Sequence, residues 1–231
     1  MLEYELKFVV PNHHLGPILD FVNLSCRADG VYPAGIVSSI YFDSLRWDAL
    51  NEKVNSDYIK TKFRLRWYRD PASGAYSDAS FAESKHRIGC RRIKSRVTTD
   101  LAPEKLDRMP LEDASLTAVP GMLRRDGIAT GAHLFPSILI RYTRHRYVDP
   151  LTGARISIDS GISSPRINRH MLPRGTGNGA ALSHAVIEVK SPLDALPRSL
   201  RPLTVYGIRR ASFSKYLACY AKCLQTEFLP L

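Results

Sequence analysis

The chain has no apolar run approaching the roughly 18–20 residues that a membrane-crossing helix needs. It also lacks a basic leader followed by an apolar core, since a period-two pattern starts at Leu2, so no signal peptide is expected. Cysteine is scarce: Cys26, Cys90, Cys219 and Cys223 form no CxxC pair and no regular framework. Cys219 and Cys223 stand one helical turn apart, the spacing of two buried thiols. These absences predict a soluble, cytoplasmic protein in a reducing compartment, without a structural disulfide. There is no internal repeat, no linker rich in proline or glycine and no break in composition, which predicts one domain over residues 1–231.

Familiar catalytic patterns are missing too. The seven histidines have no zinc-ligand spacing, and no Ser/His/Asp motif is present. The run Gly175-Thr176-Gly177-Asn178-Gly179 is followed by no Gly-Lys-Ser/Thr, so it reads as part of a long loop, Arg166 to Ser183, and not as a phosphate cradle. Carboxylates are the minority charge: 22 Asp and Glu stand against 33 Lys and Arg, a formal net charge of +11 with a pI of about 9.7. A surplus of that size calls for an anionic partner or a solvated surface, and nucleic acid, anionic membrane and polyanionic small molecules all qualify.

Hydrophobic residues, 44% of the chain, suffice for a core. They alternate with polar ones over Leu2–Val10, Ile36–Asp43, Ile59–Arg69, Ala79–Ile88, Arg91–Thr98, Ser137–Val148, Ala154–Asp159 and Ala185–Ser191. Eight strands can close a small barrel. Gly89 and Cys90 mark a tight turn. Helical spacing covers His13–Cys26, with Asn12 as a candidate N-cap, then Leu45–Lys53, part of Leu111–Asp126 with Pro120 and Gly121 as breakers, and Ser214–Thr226.

The charges occupy one face of each strand. In Ile59–Tyr68 the even positions are Lys60, Lys62, Arg64, Arg66 and Tyr68, and the odd ones are Ile59, Thr61, Phe63, Leu65 and Trp67. Glu3, Glu5 and Lys7 share a face. So do Glu83, Lys85 and Arg87; Arg92, Lys94 and Arg96; Arg155 and Asp159; Glu188 and Lys190; and Arg141 lies opposite Ile138 and Ile140. On an open sandwich such faces look into solvent. If the sheet closes with its apolar faces outward against helices, they line one cationic lumen, which only water and a polyanion can fill. Arginine forks and lysine point charges both suit phosphate oxygens. Carboxylates on such a wall suit a divalent cation held against those oxygens, with Glu3, Glu5 and Glu188 as candidates, or else ion pairs with neighbouring cations. Trp67, beside the basic positions, falls on the apolar face, so a stacking platform for nucleic acid is disfavoured.

The same residues carry a family resemblance. Glu3-x-Glu5-x-Lys7 resembles the ExExK signature of the CYTH, or triphosphate tunnel metalloenzyme, superfamily. Ser38–Asp43, Phe63–Tyr68, Phe81–Arg87, Ser137–Tyr147, Arg155–Asp159, Ala185–Lys190 and Phe213–Tyr216 are similar, in order, to blocks of its polyphosphate polymerase branch, the VTC domain. The resemblance implies an α+β fold built on a closed eight-stranded antiparallel tunnel with flanking helices. It implies that Lys7, Arg64, Arg66, Lys85, Arg141, Arg155 and Lys215 act on the phosphate chain, supported by Lys62, Arg87, Lys190, Ser214 and Arg210. Glu188, with Glu5 and Glu3, would hold Mn²⁺ or Mg²⁺. The implied partners are ATP, triphosphate or polyphosphate, and no oligomeric state is implied. Serine at position 212 stands where the fungal polymerase has a further lysine, with Arg209 and Arg210 as possible replacements of that charge. The SPX sensor domain and transmembrane segment that accompany the eukaryotic polymerase are absent from this sequence. Three activities fit: transfer from ATP to a growing polyphosphate, hydrolysis of triphosphate or nucleoside triphosphates, and binding of polyphosphate without chemistry.

Overall fold

The computed structural model describes residues 3–89, 91–128, 130, 133–172 and 181–225. Ten strands form one antiparallel sheet: β1 Tyr4–Pro11, β2 Arg27–Ala28, β3 Ala34–Asp43, β4 Ile59–Arg69, β5 Ser80–Ile88, β6 Arg91–Thr99, β7 Phe135–Val148, β8 Arg155–Ile167, β9 His184–Ser191 and β10 Arg209–Arg210. Their order is β10-β1-β9-β8-β7-β3-β4-β5-β6, with β2 pairing the end of β7. The helices are α1 Leu15–Ser25, α2 Asp48–Val54, α3 Pro103–Arg108, α4 Ala114–Thr117, α5 Val119–Arg125 and α6 Lys215–Cys223. The eight long strands match the periodic segments. The two extra strands are two residues each, too short to leave a period.

The sheet is not a closed eight-stranded barrel. Its path ends at β6 on one side and β10 on the other. On the β1 edge that closure would need, β10 already pairs with Phe8 and Val9. Across the gap, Arg92 of β6 donates to the Glu5 carboxylate of β1 at 2.7 Å, and Lys85 of β5 lies 3.8 Å from it. The sheet therefore curls into a trough whose long seam is bridged by ion pairs and not by backbone hydrogen bonds.

Strand alternation decides what lies inside. The odd residues of β4, Phe63, Leu65 and Trp67, are buried on the convex side against Leu106, Leu116, Val119 and Leu123 of α3–α5. Leu6, Phe8, Ile156, Ile158 and Ile187 are buried on the convex side under α1 and the 3-10 helix Arg198–Tyr206. The concave side is apolar at one end only, where α6 sets Tyr216, Ala218 and Cys219 against Ile138, Ile140 and Ile162. Arg64 and its even neighbours occupy the remainder.

Helix boundaries differ from the sequence expectation where side-chain chemistry differs. Asn12 caps no helix; its amide donates to the Leu182 carbonyl at 3.0 Å, and a short 3-10 turn precedes α1. Pro120 sits in the first turn of α5, where its missing N–H costs nothing, so it starts a helix instead of breaking one. α3 lies outside the segments of helical spacing. β8 runs past Asp159 to Ile167, through a bulge opposite Arg141–Thr143 at which Gly161 has φ +60°. The expected loop thus begins as strand, and residues 173–180, with the glycine run, lie outside the described residues, as do Cys90 and Thr226. The thiols of Cys26, Cys219 and Cys223 are buried. Among the described residues no helix is long and apolar enough to cross a membrane.

Candidate functional site

The concave side holds a cleft of about 450 Å³. Ten cations line it, Lys7, Lys62, Arg64, Arg66, Lys85, Lys94, Arg96, Arg144, Lys190 and Lys215, against three carboxylates, Glu5, Glu83 and Glu188. Register explains the convergence. Residues directly opposed in an antiparallel pair share a face, and Lys62 opposes Lys85, which opposes Lys94; Arg64 opposes Glu83, which opposes Arg96; Lys7 opposes Glu188; and Glu5 opposes Lys190.

Two carboxylates organise the arginines. Glu83 takes Arg64 Nε and Nη2, both at 2.6 Å, and Arg96 Nε at 2.9 Å, with Arg66 3.8 Å away. Burial pushes the Glu83 carboxyl up, but Arg64, Arg66 and Arg96 outweigh it and hold it below the ordinary range. Asp159, fully buried behind the wall, accepts from Arg144 Nε at 2.6 Å and Nη2 at 2.7 Å and lies 2.6 Å from Lys215 Nζ. Burial raises its carboxyl too, and Lys215 and Arg144 bring it below the usual value. The Tyr142 ring lies under both cations, 5.4 Å from Arg144 and 4.9 Å from Lys215. Tyr41 stacks on Tyr216, and burial, opposed more strongly by Arg64 and Arg66, leaves its hydroxyl below the usual tyrosine value.

The lysines are less well matched. Lys62 Nζ donates to the hydroxyl of Ser214, the N-cap of α6, at 3.1 Å. Burial, with Lys7, Lys85, Lys53 and Arg64 around it, lowers its pKa to about 7. Burial lowers Lys85 to about 8, with Glu5 opposing and Lys7 and Arg92 adding to the fall. Lys7 Nζ bridges the two carboxylates at the opposite wall, 3.1 Å from Glu5 and 4.0 Å from Glu188. Burial pushes Glu188 up, yet Lys7, Lys190, Lys215 and Arg144 keep it ionised far below the carboxylate range. Glu5 follows the same logic, with burial and Glu188 raising it and Lys7, Lys85 and Arg92 prevailing.

Of the residues proposed from sequence, the structure brings Lys7, Arg64, Arg66, Lys85, Lys215, Lys62, Lys190, Ser214, Glu5 and Glu188 into this cleft. It does not bring in five others. Arg141 points to the convex side, hydrogen-bonded to Ser38 and to Asp107 of α3. Arg155 opposes Lys190 but is 64% exposed at the strand end, paired with Glu3. Arg87 is exposed and donates to the Gly89 carbonyl, and Arg210 pairs with Asp194 on the outside. Arg144 is the cleft residue that sequence reasoning overlooked. The signal was the Tyr142–Arg144 alternation, masked because Ile138 and Ile140 on the same face are apolar beneath α6. The sequence pattern places Lys94, Arg96 and Glu83 on strand faces with other charges but assigns them no role.

A divalent cation is implied by the family resemblance. Among the described residues, no group of three or more His, Cys, Asp or Glu is arranged for a metal. Glu5 and Glu188, both ionised and facing one cleft, supply two carboxylates. Mg²⁺ and similar hard cations commonly take one or two carboxylates and complete their shell with substrate phosphate oxygens and water, so the residues fit a cation that arrives with an anionic substrate.

A family model described as VTC domain matches residues 2–224. No curated protein matches the sequence. Among solved structures, protein PH1819 of Pyrococcus horikoshii OT3 aligns at 16% identity and TM-score 0.46, over 96% of this chain and 98% of its own. A Vibrio parahaemolyticus protein described as a candidate adenylate cyclase aligns at 15% identity and TM-score 0.47, over 98% and 99%. At that distance nothing about activity passes from either to this chain.

Proposed function

The chain belongs to the VTC domain family, and from that premise we propose that it transfers the terminal phosphoryl group of ATP to the end of a polyphosphate chain held in the cleft. The observation that supports this reading is the imbalance of ten cations over three carboxylates in one groove. Arg64 and Arg66 stand one pleat repeat apart, about 7 Å, a spacing that reaches successive phosphates. Arg144 and Lys215, held by Asp159, meet the same chain from the opposite wall. Phosphoryl transfer asks mainly for in-line positioning and for neutralisation of the equatorial oxygens, which these fixed cations supply. A terminal polyphosphate oxygen forms the new bond to the γ-phosphorus as the bond to the bridging oxygen breaks, and ADP leaves with that electron pair. No protein nucleophile is required. Glu188 and Glu5 would hold Mg²⁺ or Mn²⁺, which when bound adds positive charge at the transferring oxygens.

A hydrolase acting on triphosphate or nucleoside triphosphates is the second reading, favoured by Glu5 standing in the cleft beside Glu188, because a second carboxylate suits a water-activating metal site. Incubation of the purified protein with ATP and Mg²⁺ or Mn²⁺, with products resolved on a gel stained for polyphosphate, separates the two. Polymer with matching ADP is the expected result. Orthophosphate from tripolyphosphate without polymer selects the hydrolase, and no turnover of either substrate contradicts both.

A further inference from the structure

Beyond its helical cover the convex face of β4–β6 turns polar through Thr61, Ser84, His86 and Ser95 and ends in a cluster of exposed apolar side chains. Helices α3–α5 shield Phe63, Leu65, Ala82 and Val97. Further along the same face, Ile59 opposes Ile88, and Ile93 follows on β6, opposite His86. These three are 57%, 42% and 44% exposed, and Tyr58 just ahead of β4 is 72% exposed. The hairpin tip is built to present them. Gly89 turns with φ +57°, and the position of a Cβ there falls 2.7 Å from the Tyr58 ring, so the ring lies across the turn.

Cations surround this tip. Arg91 lies on the same face beside Ile88, while Lys60 and Arg87 project from the opposite face, and Arg87 and Arg91 are exposed. Nearby carboxylates are few: Asp57 is exposed, and Glu52 is engaged by the Thr61 backbone N–H at 2.5 Å. An aromatic and aliphatic point ringed by Arg and Lys is complementary to one kind of surface, an anionic bilayer, where the apolar side chains enter the interfacial layer and the cations meet headgroup phosphates. A protein partner is the poorer match, because a few side chains on one tip fall far short of the area that a stable interface buries.

We propose that this tip docks the protein peripherally on anionic membrane. The proposal is independent of the chemistry of the cleft. The test is co-sedimentation of the full chain with vesicles of phosphatidylcholine alone or with about a third phosphatidylglycerol, in the presence of saturating tripolyphosphate so that the cleft cations are occupied. The parent is expected to bind the anionic vesicles about tenfold more tightly than the neutral ones, with binding weakened by salt. Tyr58→Ser/Ile88→Ser and Arg91→Glu should each lower that binding about tenfold. Emission of Tyr58→Trp should shift to the blue on anionic vesicles. A parent that stays in the supernatant, variants that bind like the parent, release by tripolyphosphate, or an unshifted reporter would each overturn the proposal.

Discussion

At the scale of the residue, Lys62 and Lys85 are the responsive groups of the cleft and its arginines the permanent ones. Lys62 meets four cations and one hydroxyl, which leaves its ammonium disfavoured until an anion arrives. Its depressed pKa means that the empty folded chain binds fewer protons than the unfolded chain from about pH 7 up to the ordinary lysine range. Stability without ligand should therefore rise with pH across that window. A bound polyanion restores the ammonium. Calorimetric binding of tripolyphosphate in buffers of different ionisation enthalpy should show more proton uptake near pH 8 by the parent than by Lys62→Arg, whose guanidinium stays charged. Equal uptake by the two proteins would remove Lys62 from the binding step.

Elements set these residues in place, and here the sequence was most legible where one face of a strand stayed uniform. The β4 alternation predicted Lys62, Arg64 and Arg66 on one side and Phe63, Leu65 and Trp67 on the other, as found. In β7 the same reasoning chose Arg141 over Arg144. Its concave face begins with Ile138 and Ile140 under α6, and its convex face carries Arg141 to Asp107, so polarity changes along each face. Alternation reports a face only if its environment is constant. The Gly161 bulge shows the same limit in β8, where the even residue Ile162 lies on the concave side although Asp159 precedes the bulge there. Asp159 itself gives an element-scale test. Asp159→Asn leaves Lys215 of α6 and Arg144 of β7 facing each other without their buried partner, and should cost about 3–5 kcal/mol in urea unfolding. A loss within error would show that the triad does not join α6 to the sheet. Gly89→Ala places a Cβ against Tyr58 in a left-handed backbone and should cost about 1–3 kcal/mol on the same assay. An unchanged midpoint would show a turn free to relax.

The whole molecule is a curled sheet whose convex face meets helices and whose concave face meets charge. Closure could not be read from the strands singly, because whether β6 meets β1 depends on summed twist and on β10, two residues with no periodic signal. What was legible was the chemistry of the interior, since cations on most of the long strands have few other ways to be accommodated together. The seam between β1 and β6 rests on Glu5 with Arg92 and Lys85, and the cleft beside it holds ten cations against three carboxylates. A polyanion should therefore stabilise the fold by occupying the cleft, by an amount that grows with the logarithm of its concentration over its dissociation constant.

In this account the concave cleft, and not the basic outer surface, binds the phosphate chain. Isothermal titration of tripolyphosphate into the parent, Arg144→Ala and Arg141→Ala tests it directly, because the two arginines are three residues apart in one strand and on opposite faces. One site per chain is expected in the parent. Arg144→Ala should lose about 1.5–3 kcal/mol of binding, the worth of a charged hydrogen bond, while Arg141→Ala binds as the parent does. Absence of binding by the parent, or equal weakening by the two substitutions, would contradict the account.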